Sequence, residues 1–296
     1  MKNDNFLKSA PSNSNELPAL LTFGAGVFFG YMLWDNLRIV STCYDIWDEK
    51  LPPAFNGFRI VQISDLHGVC FGKRQSTLIS LIERETPDMI VITGDLVGDT
   101  DMSSAFRLVS HITKIAPCFY VSGNHEQKSG KYYSTIRPKL VNLGAKVLDD
   151  KTVRITKGSA YINVIGLADP RFDRYCSAAS ITNTKLKYLT APGFTVLLSH
   201  RPELIPVYSK YNVNLALTGH AHGGQFRIPF LHRGIFAPQQ MFFPKYTEGI
   251  ITKKGTKTIV SRGLGTETVI PRFNNPPELV TAVLRRGKGE NINYDF

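Results

Sequence analysis

The stretch Met89-Ile90-Val91-Ile92-Thr93-Gly94-Asp95 shows the pattern that decides the fold of this chain, a short apolar run followed directly by polar residues. Runs rich in Ile, Val and Leu and bounded by Gly, Pro or Asp predict buried β-strands. The pattern recurs along the chain, and the polar blocks that follow the runs are Asp65-Leu66-His67, Gly94-Asp95, Gly123-Asn124-His125-Glu126, His200 and Gly219-His220-Ala221-His222. Open α/β sheets bind ligands at the carboxyl ends of their strands, so we expect these blocks to meet in one site.

The polar blocks contain most of the histidine in the chain, five of seven residues. Carboxylate and amide oxygens together with imidazole nitrogens suit a first-row divalent metal such as Mn, Fe, Co or Zn. The four cysteines form no Cys-x-x-Cys pair, which argues against a structural zinc site. The candidate ligands are too many for one ion and suit two: Asp65, His67, Asp95, Asn124, His200, His220 and His222.

Composition describes an ordinary globular protein of 296 residues, 43% of them hydrophobic and 20% charged. The net charge of +11 is compatible with phosphate esters, nucleic acid or an acidic membrane surface as partners. A solvated basic surface explains the same charge. No nucleic-acid-binding motif accompanies it, so we expect no nucleic-acid partner, and no protein partner can be inferred.

An uncharged run of 18 residues, Leu17–Trp34, precedes the predicted domain. As a helix it would span roughly 27 Å, close to the hydrocarbon thickness of a bilayer. The alternatives are a buried core helix and a cleaved signal peptide, but no Ala-x-Ala site follows the run. We therefore predict a single-pass protein of the inner (cytoplasmic) membrane, with a disordered segment at 1–16, a transmembrane anchor at 17–34 and a linker at 35–57. The lysines and arginines around the run do not give its orientation.

Helical periodicity alternates with the strands within residues 58–296, which indicates one α/β domain. The predicted helices are Lys73–Glu85, Ser103–Ile115, Tyr132–Leu143, Ile181–Leu189 and Pro202–Lys210. The further predicted strands are a hairpin of Lys146–Ile155 with Ala160–Leu167, and the closing strands Lys257–Val260 and Glu278–Arg285.

The order Asp-x-His, Gly-Asp, Gly-Asn-His-Glu, His and Gly-His-x-His resembles the signature of the calcineurin-like metallophosphoesterase superfamily, over roughly residues 58–285. The resemblance implies an α/β sandwich of two mixed β-sheets flanked by α-helices. It also implies a hydrolase of phosphoester or pyrophosphate bonds that uses two divalent metal ions, Mn foremost, with Fe, Zn or Co as alternatives.

The resemblance also implies a role for each residue of the blocks. One metal ion would be bound by Asp65, His67 and His222, the other by Asn124, His200 and His220, with Asp95 bridging the two. His125 matches the histidine that protonates the leaving oxygen or neutralises charge on the phosphate, a role that a histidine titrating near the working pH can fill. Glu126 would orient the imidazole of His125.

Two further stretches, Thr218–Gln225 and Ser261–Gly265, are similar to a membrane-associated bacterial branch of YaeI/YkuE-like proteins. That branch includes the UDP-2,3-diacylglucosamine pyrophosphatase of lipid A synthesis, so the resemblance implies a lipid-linked phosphorylated substrate beside a membrane. Arg262 and Arg272 are candidates for phosphate contacts, since a guanidinium matches phosphate geometry, although either could be structural.

Two other functions stay open. One is a phosphodiesterase or phosphatase for soluble nucleotides or phosphoproteins. The other is a non-catalytic metal-binding scaffold, which is disfavoured because every ligand and His125 are present.

Large apolar side chains crowd residues 226–246, just after the last predicted ligands: Phe226, Phe230, Phe236, Met241, Phe242, Phe243 and Tyr246. One interpretation is a loop packed into the core. The other is an apolar lip beside the metals that takes an acyl chain or dips into a membrane.

Overall fold

Two six-stranded β-sheets lie at the centre of the protein in a computed structural model. The structure describes residues 16–98, 102–127, 130–170, 176–228, 233–238, 240–266 and 272–289.

The first sheet is mostly parallel. In spatial order its strands are β1 (Val40–Asp48), β16 (Glu278–Arg286), β2 (Arg59–Ile63), β3 (Met89–Thr93), β4 (Cys118–Val121) and β5 (Lys146–Val147). Strands β2 to β5 run parallel, whereas β16 is antiparallel to β2 and parallel to β1. The carboxyl ends of β2, β3 and β4 therefore share one edge of the sheet.

The second sheet is mixed in the same way. Its strands, in spatial order, are β14 (Gly249–Lys253), β15 (Thr256–Val260), β9 (Leu215–Thr218), β8 (Thr195–Leu198), β7 (Ala160–Gly166) and β6 (Lys151–Lys157). The four inner strands are parallel and the two outer ones antiparallel to their neighbours. Two short hairpins follow β9, formed by β10 (Arg227–Ile228) with β11 (Arg233–Gly234) and by β12 (Phe236–Ala237) with β13 (Met241–Phe242).

Helices cover the outer faces of both sheets. Their bounds are α1 (Glu16–Leu37), α2 (Ser76–Arg84), α3 (Ser103–Ile112), α4 (Asn124–Gln127), α5 (Gly130–Asn142), α6 (Ala178–Leu189) and α7 (Ile205–Tyr208). Side chains of α2, α3 and α5 pack on the first sheet, and those of α6 and α7 on the second. The predicted sandwich of two mixed sheets flanked by helices is confirmed.

Alternation of side chains along the strands explains these layers. Ile60 and Phe119 of the first sheet join Val196 and Leu217 of the second in one buried cluster between the sheets. Neighbours such as Val61 lie on the opposite face, in the cluster shared with the helices. Because the inner strands are buried on both faces, they read as continuous apolar runs, which is why the sequence predicts them well.

The structure corrects two predictions about strands. Residues 35–57 are not simply a linker, because they contain β1, which pairs with β16 from Val40 to Asp48. This edge strand alternates in burial instead of forming an apolar run, so its sequence gives a weak strand signal. Within the predicted hairpin only β6 pairs with β7, whereas β5 pairs with β4 in the other sheet.

The N-terminal apolar run lies in α1. Across the part of the chain that the structure describes, no helix has the length and apolar character needed to span a membrane. The anchor predicted for 17–34 is therefore not confirmed and stays a prediction. Of the predicted disordered segment, residues 1–15 lie outside the described residues.

Two fully buried tyrosines give a test of the packing. The hydroxyl of Tyr208 donates to the carbonyl oxygen of Arg201 (2.6 Å) and lies 2.8 Å from Ser199 Oγ, whereas the hydroxyl of Tyr120 has no hydrogen-bond partner among the described residues. A buried hydroxyl without a partner costs stability, so we expect Tyr120→Phe to raise the free energy of unfolding by about 1 kcal/mol and Tyr208→Phe to lower it by about the same amount. Urea unfolding of the two variants measures both. If Tyr120→Phe lowered the free energy of unfolding as much as Tyr208→Phe does, the hydroxyl of Tyr120 could not be an unpaired buried group.

Candidate metal centre

The predicted ligands lie on loops that leave the carboxyl ends of strands in both sheets. Several of these residues adopt a left-handed backbone: φ is 50° at Asp65, 48° at His67, 50° at Asp95, 66° at His220 and 47° at His222. Such angles are uncommon for residues other than glycine and cost energy, so they persist where surrounding contacts fix them. Their concentration in these loops marks a functional site.

Gly94 explains how closely the loops approach one another. Its φ is 91°, and a Cβ added there would lie 2.6 Å from His200 Nδ1 and 2.7 Å from Gly123 Cα. Only glycine fits where the loops after β3, β4 and β8 converge.

The first predicted ligand set is brought together. Candidate ligand atoms of Asp65, His67 and His222 all lie within 4.8 Å of one another. Asp65 Oδ1 lies 3.5 Å from His222 Nε2, and the rings of His67 and His222 stack with centroids 5.2 Å apart. The carboxylate of Asp65 is fixed by the backbone N–H of His220 at 3.0 Å and the hydroxyl of Ser64 at 2.5 Å.

The second predicted set converges beside the first. Ligand atoms of Asp95, His200 and His220 also lie within 4.8 Å of one another. His200 Nδ1 is 2.8 Å from the carbonyl oxygen of Thr93, to which it can only donate, so Nε2 faces the site. That Nε2 lies 2.9 Å from Asn124 Oδ1 and 3.2 Å from Asp95 Oδ2.

Asp95 lies between the two sets. Its Oδ1 accepts the backbone N–H of His125 at 2.9 Å. Its Oδ2 is 3.2 Å from His200 Nε2 and 3.8 Å from His67 Nε2, and has no hydrogen-bond partner among the described residues. A carboxylate oxygen that faces both sets is the arrangement that a bridging ligand requires.

Burial and neighbouring charges shift the pKa values of the predicted ligands. Burial opposes ionisation of Asp95, but the charge of His200 holds the pKa of that carboxyl well below its usual range. Burial likewise disfavours charged His200, yet Asp95 outweighs it and raises the pKa of His200 to about 10. Burial, with the nearby charges of His67 and Arg272, holds the pKa of His222 well below its usual value and keeps the imidazole neutral, the form that binds metal.

Two buried ligand atoms support the fit of the site to metal ions. Asp95 Oδ2 and His222 Nε2 both lack a hydrogen-bond partner among the described residues. Leaving a buried polar atom unpaired costs free energy, and a divalent cation satisfies a carboxylate oxygen, or a ring nitrogen that has lost its proton, directly. A donor set of carboxylate, amide oxygen and imidazole suits Mn, Fe, Co or Zn.

His125 lies at the edge of the first set. Its side chain is 5% exposed, and its ring stands edge-on to that of His67 with centroids 4.8 Å apart. His125 therefore packs directly against a predicted metal ligand.

Glu126 is engaged by backbone groups. Its carboxylate accepts four backbone N–H groups, those of Asp95 (2.9 Å), Leu96 (2.8 Å), Val97 (3.3 Å) and Gly123 (2.9 Å). Burial raises the pKa of Glu126 to about 7, and the backbone donors oppose that shift. The contacts show Glu126 joining the loop of Asp95 to the loop of Asn124, and its predicted role in orienting the ring of His125 stays a prediction.

The two predicted phosphate-binding arginines both have protein partners. Arg262 pairs with Glu278 at 3.3 Å and lies 3.6 Å from Glu248. Arg272, 1% exposed, donates to the carbonyl oxygens of Gly265 and Arg262 and lies with Nη2 3.3 Å from His222 Nδ1. Of these two arginines, Arg272 is the one seen to contact a predicted ligand among the described residues.

Sequence reasoning missed a third buried arginine beside the site. Arg201 donates from Nε and Nη2 to Asp169 at 2.5 and 2.8 Å, and its Nη1 lies 3.3 Å from His220 Nε2. Its place directly after His200 was the available signal. No sequence signal pointed to Asp169, since only the fold brings it next to Arg201.

The aromatic stretch is divided between surface and core. The side chains of Phe236, Met241, Phe242 and Phe243 are 40 to 71% exposed, whereas Tyr246 is 9% exposed and packs in the core of the second sheet. Phe230 lies outside the described residues. The exposed group sits on the hairpin β12–β13, which meets the ligand loop where the N–H of Ile235 donates to Gly224 at 3.1 Å.

Comparison with known proteins identifies the family. The sequence model described as Calcineurin-like phosphoesterase matches residues 58–224. The uncharacterized metallophosphoesterase YkuE of Bacillus subtilis is 30% identical over 90% of this chain and 92% of its own. The UDP-2,3-diacylglucosamine pyrophosphatase LpxG of Chlamydia muridarum is 27% identical over 78% of this chain and 86% of its own, and the phosphodiesterase YaeI of Escherichia coli is 29% identical over 75% and 80%. The predicted resemblance and its YaeI/YkuE-like branch are confirmed.

The contacts of Glu126 predict the effect of Glu126→Gln. An amide offers one acceptor oxygen and would turn N–H donors towards backbone N–H groups, so the loops of Asp95 and Asn124 would separate. We expect Mn affinity to fall by about 10-fold or more, measured by calorimetric titration, with Glu83→Gln on the exposed face of α2 as control. Unchanged Mn affinity with reduced turnover would show that Glu126 acts through His125 alone.

Proposed function

The chain is a hydrolase of the calcineurin-like phosphoesterase family, and we propose that it cleaves a phosphoester or pyrophosphate bond in a lipid-linked substrate at a membrane. The observation that carries the proposed chemistry is the convergence of both ligand sets on Asp95 Oδ2. In the proposed centre Asp65, His67 and His222 would hold one ion, Asn124, His200 and His220 would hold the other, and Asp95 would contribute to both.

The metal ligands, His125 and Glu126 would have separate roles in hydrolysis. Two divalent ions, Mn foremost, would supply Lewis acidity and neutralise charge on the phosphate. Water attacks phosphorus and loses a proton, the bond from phosphorus to the leaving oxygen breaks, and the protonated imidazole of His125 donates a proton to that oxygen. The proton lost by the water returns His125 to its protonated form. Glu126 keeps the loops of Asp95 and Asn124 at a fixed separation while charge develops.

Neither Arg262 nor Arg272 is needed for this scheme as a phosphate ligand. Their guanidinium groups are occupied by carboxylates or carbonyl oxygens of the protein. The sequence-based assignment of both to the substrate remains a prediction.

Exposed apolar side chains beside the site support a lipid-linked substrate. The hairpin β12–β13 presents Phe242 and Phe243, 68 and 71% exposed, next to the loop of His222. Helix α1 exposes further large apolar side chains, among them Phe23 and Leu33. LpxG is named for a pyrophosphatase activity on UDP-2,3-diacylglucosamine, which joins acyl chains to a pyrophosphate. These features support our proposal that the enzyme acts at the cytoplasmic membrane, with acyl chains lying along the hairpin.

Substrate choice is tested with metal-stripped protein reloaded with Mn. We expect release of UMP from UDP-2,3-diacylglucosamine that is faster than hydrolysis of bis-p-nitrophenyl phosphate or p-nitrophenyl phosphate, and loss of all three activities in Asn124→Ala. Hydrolysis of the generic diester alone would retain the chemistry and reject the lipid substrate. No turnover with Mn, Fe, Co or Zn would favour the scaffold.

The role of the hairpin is tested by replacing both exposed phenylalanines, Phe242→Ser with Phe243→Ser. We expect kcat/KM for the lipid substrate to fall by about 10-fold or more, because each serine removes roughly 1.5–3 kcal/mol of apolar burial, while the small chromogenic diester is hydrolysed as before. Tyr188→Ser, which changes a 78% exposed aromatic residue on α6, is the matched control. Equal loss on both substrates would show that the hairpin supports the fold and not the acyl chain.

A further inference from the structure

The C-terminal end of α1 is bonded to a segment far away in sequence, residues 272–275. Asn36 binds both backbone groups of Arg272, since its Nδ2 donates to the carbonyl oxygen at 2.8 Å and its Oδ1 accepts the N–H at 3.0 Å. The carboxylate of Asp35, 2% exposed, accepts the N–H of Asn275 at 3.0 Å. Adjacent side chains of one helix turn thus fix the backbone of the segment at two points.

The same segment holds the ligand His222 from two sides. Asn275 Nδ2 donates to the carbonyl oxygen of His222 at 2.7 Å, and Arg272 Nη2 lies 3.3 Å from Nδ1 of its ring. Asn275 is fully buried and presses on Gly223, where an added Cβ would collide with its amide. Backbone and ring of His222 are therefore both set by residues that α1 positions.

The polar end of α1 contrasts with the rest of the helix. Earlier turns expose large apolar side chains and touch the domain through Phe28 and Tyr31, whose rings lie 5.7 and 6.3 Å from that of Phe273. A helix that served only as a tether would gain nothing from a buried aspartate, because burying a charge is costly unless specific partners compensate it. Besides the partly exposed Arg38, the partner of Asp35 is the N–H of Asn275, whose own side chain donates to His222 in the metal centre.

We propose that α1 is part of the metal centre's support, with Asp35 and Asn36 as positioning residues that act through Arg272 and Asn275 on His222. The inference rests on the dinuclear centre of the proposed function. It predicts that loss of the contact between α1 and residues 272–275 lowers the affinity for one metal ion selectively. That ion is the one that Asp65, His67 and His222 would hold. His200 contacts Asn124, and His220 contacts Arg201, so the ion that these three ligands would hold should keep its affinity.

The test uses the full chain and variants of α1. Asn36→Ala removes both bonds to Arg272, and Asp35→Ala removes the acceptor for Asn275. Asp35→Asn keeps an oxygen for that N–H and serves as the rescue variant. Arg38→Ala is the matched control, because Arg38, 43% exposed, contacts the same carboxylate at 3.5 Å from the solvent side.

The measurements are Mn titration calorimetry and EPR of the Mn pair. Wild type is expected to bind two ions and to show an exchange-coupled signal. In Asn36→Ala and Asp35→Ala we expect one of the two affinities to fall by about 10- to 100-fold, with loss of the coupled signal at limiting Mn. Asp35→Asn should recover most of the lost affinity, and Arg38→Ala should match wild type.

The outcomes separate the inference from the function on which it rests. Wild-type affinities for both ions in the folded Ala variants would overturn the positioning role while leaving the dinuclear centre intact. An equal loss of affinity for both ions would also overturn the positioning role, since that result indicates a general loss of structure. Failure of wild type to bind two ions would instead reject the proposed centre. Circular dichroism and thermal unfolding of the metal-free proteins establish folding, and if Asp35→Ala does not fold, Asn36→Ala with Asp35→Asn decides the matter.

Discussion

The position of the Asp95 carboxylate, buried between two groups of histidines, is the constraint on which the rest of the structure depends. One oxygen is occupied by the N–H of His125, and the other faces His67 and His200 at 3.8 and 3.2 Å. Such a carboxylate needs positive charge on both sides, which the two proposed cations would supply. The left-handed backbone at five of the ligand positions, from Asp65 to His222, is the conformational cost of holding it there.

The site is also where the two sheets meet. Asp65, Asp95 and Asn124 follow strands of the first sheet, whereas His200, His220 and His222 follow strands of the second. Neither sheet could assemble the centre alone. Cations held between the sheets would consequently tie them together at their carboxyl edges, and Glu126 performs a similar task within the first sheet by joining the loops after β3 and β4. Fold and chemistry thus depend on the same few loops.

Much of this arrangement could be predicted from the sequence because each ligand directly follows an apolar strand, so that local pattern and site coincide. Edge strand β1 could not be predicted from the sequence, since one of its faces is exposed and its apolar pattern is broken. The contacts of Glu126 with four backbone N–H groups could not be predicted, because backbone groups carry no sequence signal. The bonds of Asn36 to Arg272 and of Arg201 to Asp169 join residues that only the fold brings together.

The central claim, that Asp95 bridges two metal ions, is tested most directly by a crystal structure of the protein with Mn, in which anomalous scattering locates the ions. The account predicts two Mn peaks about 3.5–4 Å apart, with Asp95 Oδ2 between them and the side chains of His222 and His200 on opposite ions. A single peak, or two peaks with the Asp95 carboxylate bound to only one of them, would contradict it.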